Sequence, residues 1–150
     1  MVWSVIMGTR CLTFVHDESG MAIINMYRQF DGYPTGHGAE LAEFLNSGSM
    51  VNGLRLGADE KFFNGMGCLA AQMVAHFKKE SGNFYLYSTE ADDCGQDYEY
   101  HIMYDDGTLR ITVYNCGVNF FGFSQGDVHE RIFDGNLAEF TEFCREKETA

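Results

Sequence analysis

The densest run of chemically capable residues is Tyr27-Arg28-Gln29-Phe30-Asp31-Gly32-Tyr33-Pro34-Thr35-Gly36-His37-Gly38. Arg28 offers a planar, permanently charged fork that suits an anion. His37 is the side chain whose ordinary pKa allows proton exchange near neutrality. Asp31 can orient either of them, and Tyr33 adds a hydroxyl. A strand ending at this point and a helix starting near Ala39 would aim free backbone N–H groups and a helix dipole at whatever sits above the junction. Arg28, Asp31, Tyr33 and His37 are therefore the candidate ligand-binding residues, suited to a small molecule or an anion. A structural reading competes. Asp31 holds a turn, Pro34 stiffens it, Gly36 and Gly38 supply unusual backbone angles, and Arg28 forms an internal salt bridge.

The remaining groups show weaker patterns. Gly36-His37-Gly38 lacks the third glycine of a dinucleotide fingerprint and the Gly-Lys-Ser/Thr of a phosphate loop, and Asn64-Gly65-Met66-Gly67 fails the same comparison. Asp92-Asp93-Cys94 with Asp97, and Asp105-Asp106, lack the alternating spacing and closing Glu of a calcium loop, so they read as solvated turns. His16, His101 and His129, the last beside Glu130, offer nitrogen ligands on different elements with no sign in the sequence that they converge. His76 reads as a hydrogen-bonded core residue. No nucleophile elbow or zinc-protease helix motif is present. The sequence thus assigns no metal site, no cofactor and no catalytic residue.

The elements that would position these groups follow from periodicity. Cys11 to Asp17 and Met21 to Phe30 read as a hairpin around Asp17-Glu18-Ser19-Gly20, with register open between loops of two and four residues. A helix starts near Ala39 and stops around Asn46 to Gly48. Asp59 to Glu80 is the longest helical candidate; if Asn64-Gly65 interrupts it, it restarts near Met66 with Met66, Leu69, Ala70, Met73, Val74 and Phe77 on its buried side. Phe84 to Glu90 alternates as a strand. Tyr98 to Asp105 and Thr108 to Asn115 form a hairpin about Asp106-Gly107, pairing Tyr104 with Leu109, Ile102 with Ile111 and Tyr100 with Val113 on a dry face. Glu99 with Tyr114, His101 with Thr112 and Met103 with Arg110 fall on the wet one. Cys116 to Asp134, glycine-interrupted around Phe120, Phe121 and Phe123, reads as a loop or bent edge strand. A last helix runs from about Asn136 to Lys147, capped by Asp134 or Asn136. The expected fold is α+β, two-layer, a mainly antiparallel sheet with helices on one face, in the order ββααβββα. Residues 1–150 read as a single globular domain, with 1–6 as an N-terminal extension if Met7 is the start.

Composition narrows the function classes. The net charge of −12 gives a field that repels phosphate backbones and anionic lipid. Nucleic-acid binding and membrane association are therefore not expected, while a basic protein partner is compatible. No apolar run approaches the ~20 residues that a membrane span requires. Five separated cysteines, Cys11, Cys68, Cys94, Cys116 and Cys144, contain no Cys-x-x-Cys pair and read as reduced thiols. The expectation is an acidic, soluble, cytoplasmic protein of a bacterial or infected host cell.

Gly8-Thr9-Arg10-Cys11-Leu12-Thr13 and the segment from Tyr27 to Gly38 resemble a family of uncharacterised phage and bacterial proteins. These share a Gly-Thr-Arg-x-Leu-Thr start and a Tyr-Arg-x-x-Asp-Gly-Tyr-Pro-x-Gly-x-Gly segment. The two motifs cover the N-terminal quarter of the chain. The resemblance implies Met7 as the family-like start and implies no activity. The expected function is that of a non-catalytic interaction or accessory protein, phage-related; the alternative is a small-molecule or anion-binding enzyme using the Arg28 to His37 loop.

Overall fold

The computed structural model describes residues 8–51, 61–117 and 128–149. These form strands β1 (Cys11–His16), β2 (Ala22–Arg28), β3 (Ser49–Val51), β4 (Phe62–Asn64), β5 (Phe84–Tyr87), β6 (Tyr98–Asp105), β7 (Thr108–Asn115) and β8 (Glu130–Asn136). They also form helices α1 (Ala39–Asn46), α2 (Gly65–Phe77) and α3 (Leu137–Thr149), with a π-helical turn, Pro34–Gly38, leading into α1. The observed order, ββαββαββββα, corrects the expected ββααβββα at three strands. The short strands β3 and β4 pair in parallel as a separate two-stranded sheet. β8 is the bent edge strand that competed with a loop in the segment after Cys116. Residues 118–127, which include Phe120, Phe121 and Phe123, lie outside the described residues, as do Asp59-Glu60 and residues 1–7.

The main sheet is mixed and runs β5-β2-β1-β6-β7-β8. β1 and β6 are parallel, placing Phe14 opposite His101, and the other neighbours are antiparallel. Asp106 and Gly107 have φ of 50° and 85°, the left-handed backbone that a two-residue hairpin turn demands. Every β6–β7 pair follows the expected register. The β1–β2 turn is longer than anticipated, with Val15 opposite Ile24 and a bulge before His16. Asp17 organises it, its Oδ1 accepting from Ser19 N–H, Ser19 Oγ and Met21 N–H. Glu18 does more than turn the chain: its Oε2 accepts from Met66 N–H at 2.8 Å, satisfying a free donor at the start of α2.

Helix boundaries follow local chemistry. Gly65, at φ 85°, breaks the longer helical pattern, so the stripe restarts at Met66 and buries Met66, Leu69, Ala70, Met73 and Phe77. At α3, Asn136 and Glu139 close a reciprocal capping box, each side chain accepting the other's backbone N–H at 2.8 and 2.9 Å. His76 corrects the expectation of a core residue. It is exposed, and its ring rests on Phe44 and Phe77.

Alternation in β1 divides the packing. Cys11 and Val15 join Met26, Tyr100, Ile102, Ile111 and Val113 in one cluster with Leu41, Phe44 and Leu45 of α1, the stripe of α2, and Phe140 and Cys144 of α3. Burying each large side chain there contributes roughly 1.5–3 kcal/mol. Leu12 and Phe14 point the other way and meet Tyr27, with Ala22 and Cys94 packed against them. Between β5 and β6 the chain lies over this second cluster. Asn25 Nδ2 holds it down by donating to the Ser88 and Ala91 carbonyls, at 3.1 and 3.0 Å.

Candidate functional site

The Tyr27 to Gly38 loop turns its polar groups inward. His37 is fully buried. Arg28 Nη1 can only donate, so His37 Nδ1 accepts at 3.2 Å, and the ring proton sits on Nε2, 2.7 Å from Thr13 Oγ1. Arg28 Nε donates to the Phe30 carbonyl, Nη2 pairs with Glu40 at 3.2 Å, and the guanidinium lies over Phe84. Burial, reinforced by the Arg28 charge, pushes the His37 pKa down to about 3. This corrects the expectation of proton exchange near neutrality: the imidazole stays neutral there.

Asp31 and Tyr33 take no part in that contact. Both are exposed, with the Tyr33 hydroxyl donating to Asp31 Oδ1 at 3.2 Å. The four candidates therefore do not line one open site. The loop instead ties down the fold, since Tyr100 Oη donates to the Gly32 carbonyl at 2.7 Å and the Tyr100 ring meets His37 edge-on. At Gly32 an added Cβ would come within 2.8 Å of the Thr9 carbonyl oxygen, and at Gly38 within 2.9 Å of Cys144 Sγ. Glycine is needed at Gly32, where backbone blocks a side chain, while at Gly38 a Cβ would displace the Cys144 thiol.

Convergence occurs on the opposite face of the sheet. Parallel pairing of β1 with β6 lays Phe14 flat on His101, with centroids 4.7 Å apart and planes 6° apart, and brings His16 Nε2 to 2.9 Å from His101 Nδ1. His101 Nε2 is 3.2 Å from Glu99 Oε1, and His129 Nε2 is 3.2 Å from the same oxygen. Gln96 Nε2 donates to Glu99 Oε2 at 2.8 Å, and Cys116 Sγ donates to it at 3.6 Å. Tyr114 stacks on His129 at 4.2 Å and meets His101 edge-on. Three imidazoles, a carboxylate, a thiol and two aromatic rings thus share one patch.

A bulge aims His129. Thr112 faces Asp134 and Tyr114 faces Arg131, so two steps along β7 match three along β8, with Ile132 as the extra residue. Regular pairing would place Ile132 opposite Tyr114 and turn residues 130 and 128 to this face. The bulge exchanges parity, so residues 131 and 129 face it instead.

The hydrogens of this chain can be counted. His16 Nδ1 faces the Gly20 carbonyl at 3.1 Å, an acceptor, and His101 Nε2 faces the Glu99 carboxylate, another acceptor. Three contacts, Gly20 to His16, His16 to His101, and His101 to Glu99, need three ring protons, while two neutral imidazoles bring two. The chain is complete when the His16–His101 pair carries one additional proton, opposite a negative Glu99. Burial, with help from His101, lowers the His16 pKa, against the raising effect of the Gly20 carbonyl. Burial alone would raise the Glu99 pKa, but hydrogen bonds from His101, Gln96 and His129 outweigh it and hold the carboxyl down to about 2. Burial, and then Glu99, push the Cys116 thiol up to about 12.

A cleft of about 580 Å³ opens over the patch, floored by Phe14, Glu99, His101 and Tyr114 and rimmed by Thr89, Glu90 and Asp92. The acidic segment before β6 is therefore more than a solvated turn. Its first part walls the cleft, and Asp97, expected in solvent, is buried and accepts from Arg10 N–H at 3.0 Å. Local sequence holds one signal for the cluster, Glu99 and His101 two apart on the wet face of a strand. Nothing local points to β1 or to His129. Among the described residues, no helix is long and apolar enough to cross a membrane. No known family model, curated protein or solved structure matches this chain.

Proposed function

We propose that the protein binds a small polar molecule in the cleft on the open face of the sheet, and that the His16–His101–Glu99 chain exchanges a proton with it. The observation that carries this reading is the continuous hydrogen-bonded run of ionisable groups, from half-exposed His16 to buried Glu99, at the floor of a 580 Å³ cleft. Buried ionisable networks tend to cluster at working sites. Stacking of His101 on Phe14 and of His129 on Tyr114 holds the rings in position before a ligand arrives. This reading moves the ligand site from the Arg28 to His37 loop to the other side of the sheet.

The test is an NMR amide-shift screen in the presence of a chelator, with a panel of small amines, carboxylic acids, amides and nucleosides. Shifts are expected at Phe14, His16, Thr89, Glu90, His101 and Tyr114, and His101→Asn is expected to abolish them while the protein stays folded. Shifts confined to residues 28–37, or none in the cleft, would contradict the assignment.

A second reading, an interaction or accessory protein without chemistry of its own, is favoured by one observation. Strand β5 is an outer edge of the main sheet and exposes Tyr85, Leu86 and Tyr87 together. Such an edge is a template for strand addition.

A further inference from the structure

We propose that Glu99, Cys116 and His129 form a binding site for a divalent transition-metal ion of the zinc class, with a fourth coordination position open to the cleft. The inference rests on the open-face cleft being the working surface and names the ion held there.

Geometry carries the argument. One ligand atom from each of the three residues lies within 4.8 Å of the other two. Tetrahedral zinc has bonds of about 2.0–2.1 Å to nitrogen and oxygen and about 2.3 Å to sulfur, which gives ligand-to-ligand edges of about 3.3 Å for N···O and about 3.5 Å for S···O. Here His129 Nε2 is 3.2 Å from Glu99 Oε1 and Cys116 Sγ is 3.6 Å from Glu99 Oε2, the two oxygens of one carboxylate. With a single Glu99 oxygen as ligand, all three atoms lie within 4.8 Å of one another, so a contraction of at most about 1.5 Å brings them to those edges.

Donor chemistry selects the class of ion. Imidazole, thiolate and carboxylate together suit zinc and its neighbours, whereas calcium and magnesium ask for oxygen alone. The support expected around such a site is also present. Gln96 Nε2 and His101 Nε2 donate to the two Glu99 oxygens, fixing the carboxylate, and Tyr114 stacks on the His129 ring. The three ligands come from β6, the residue following β7 and the residue preceding β8, so strand pairing sets their spacing. On binding, the metal–sulfur bond replaces the Cys116 S–H bond, and that proton leaves to solvent. Three protein ligands leave one tetrahedral position for water or a cleft-bound molecule, the arrangement of reactive zinc sites and not of closed structural ones.

Cobalt(II) reports this geometry directly. Reduced, metal-stripped full-length chain titrated with cobalt(II) is expected to develop thiolate-to-cobalt charge transfer in the near ultraviolet and strong visible d–d absorption, both removed by one equivalent of zinc. Cys116→Ser should abolish the charge-transfer band, and His129→Gln should weaken cobalt affinity about tenfold or more. Cys68→Ser, at a half-buried thiol on α2, should leave the spectrum unchanged. The half-exposed His129 ring gives a second test should Cys116→Ser fail to fold. No charge-transfer band in the wild type, a band that survives Cys116→Ser, or unchanged affinity in His129→Gln would overturn the proposal. Because the small-molecule screen contains a chelator, loss of the metal site alone leaves its result standing.

Discussion

Acid is expected to destabilise the protein through His37 by about 1.4 kcal/mol per pH unit below the ordinary histidine pKa of 6.5. The imidazole is fully buried beside Arg28, so its charged form is disfavoured and the folded-state pKa falls to about 3. Below pH 6.5 the unfolded chain takes up a proton that the folded chain refuses. The stabilisation is whole above pH 6.5 and is lost as the pH falls through the window down to about 3. Across that window the loss sums to roughly 5 kcal/mol, comparable with the entire margin of many domains. His37→Gln keeps a donor for Thr13 Oγ1 and an acceptor for Arg28 while removing the titration. Urea midpoints between about pH 7 and about pH 4 should therefore fall more steeply for the wild type than for the variant. Equal slopes would show that His37 is accessible to protons in the folded state.

Tyr100 is expected to give the largest loss from a single truncation. Its side chain is fully buried among His37, Phe140 and Gly38, and its hydroxyl is the donor to the Gly32 carbonyl. Tyr100→Phe removes only that donor and should cost about 1–3 kcal/mol, the penalty for stranding a buried acceptor. Tyr100→Ala also opens a cavity and should cost about 3–5 kcal/mol. Chemical denaturation of the pair separates the hydrogen bond from the packing. A Phe variant as stable as the wild type would mean that the loop is not anchored through Gly32.

The two sides of the sheet divide the work between neighbouring residues. On β6, Tyr100 secures the loop while Glu99 and His101 line the cleft; on β1, Thr13 holds His37 while Phe14 stacks on His101. Successive strand residues face opposite ways, so the anchors of the loop and the lining of the cleft are interleaved in sequence and separated in space.

This interleaving explains what could be read from sequence. The β6–β7 hairpin was legible because a two-residue period met an Asp-Gly turn, and the α2 stripe because Met66, Leu69, Met73 and Phe77 recur at helical spacing. The start of α2 was legible only as an alternative, since Asn64-Gly65 both tolerates and breaks a helix. Parallel pairing of β1 with β6 is non-local and leaves no local trace, so the meeting of His16 with His101 was hidden. The Ile132 bulge that aims His129 was hidden for the same reason. The Arg28 to His37 loop misled in the other direction. Its charged and titratable residues sit at a strand-to-helix junction, as a ligand site would, but Arg28, His37 and Thr13 satisfy one another inside the core. Composition alone does not distinguish a polar set that awaits a ligand from one that is already complete.

The connected chain of imidazoles is most directly tested by a long-range nitrogen-15 spectrum of the histidine side chains in mildly acidic solution, where the His16–His101 pair takes up its additional proton. A nitrogen–nitrogen coupling across the hydrogen bond from His16 Nε2 to His101 Nδ1 is predicted, together with a neutral His37 protonated at Nε2. Two uncoupled rings for His16 and His101, with a His37 signal that titrates near 6.5, would contradict the account on both faces of the sheet.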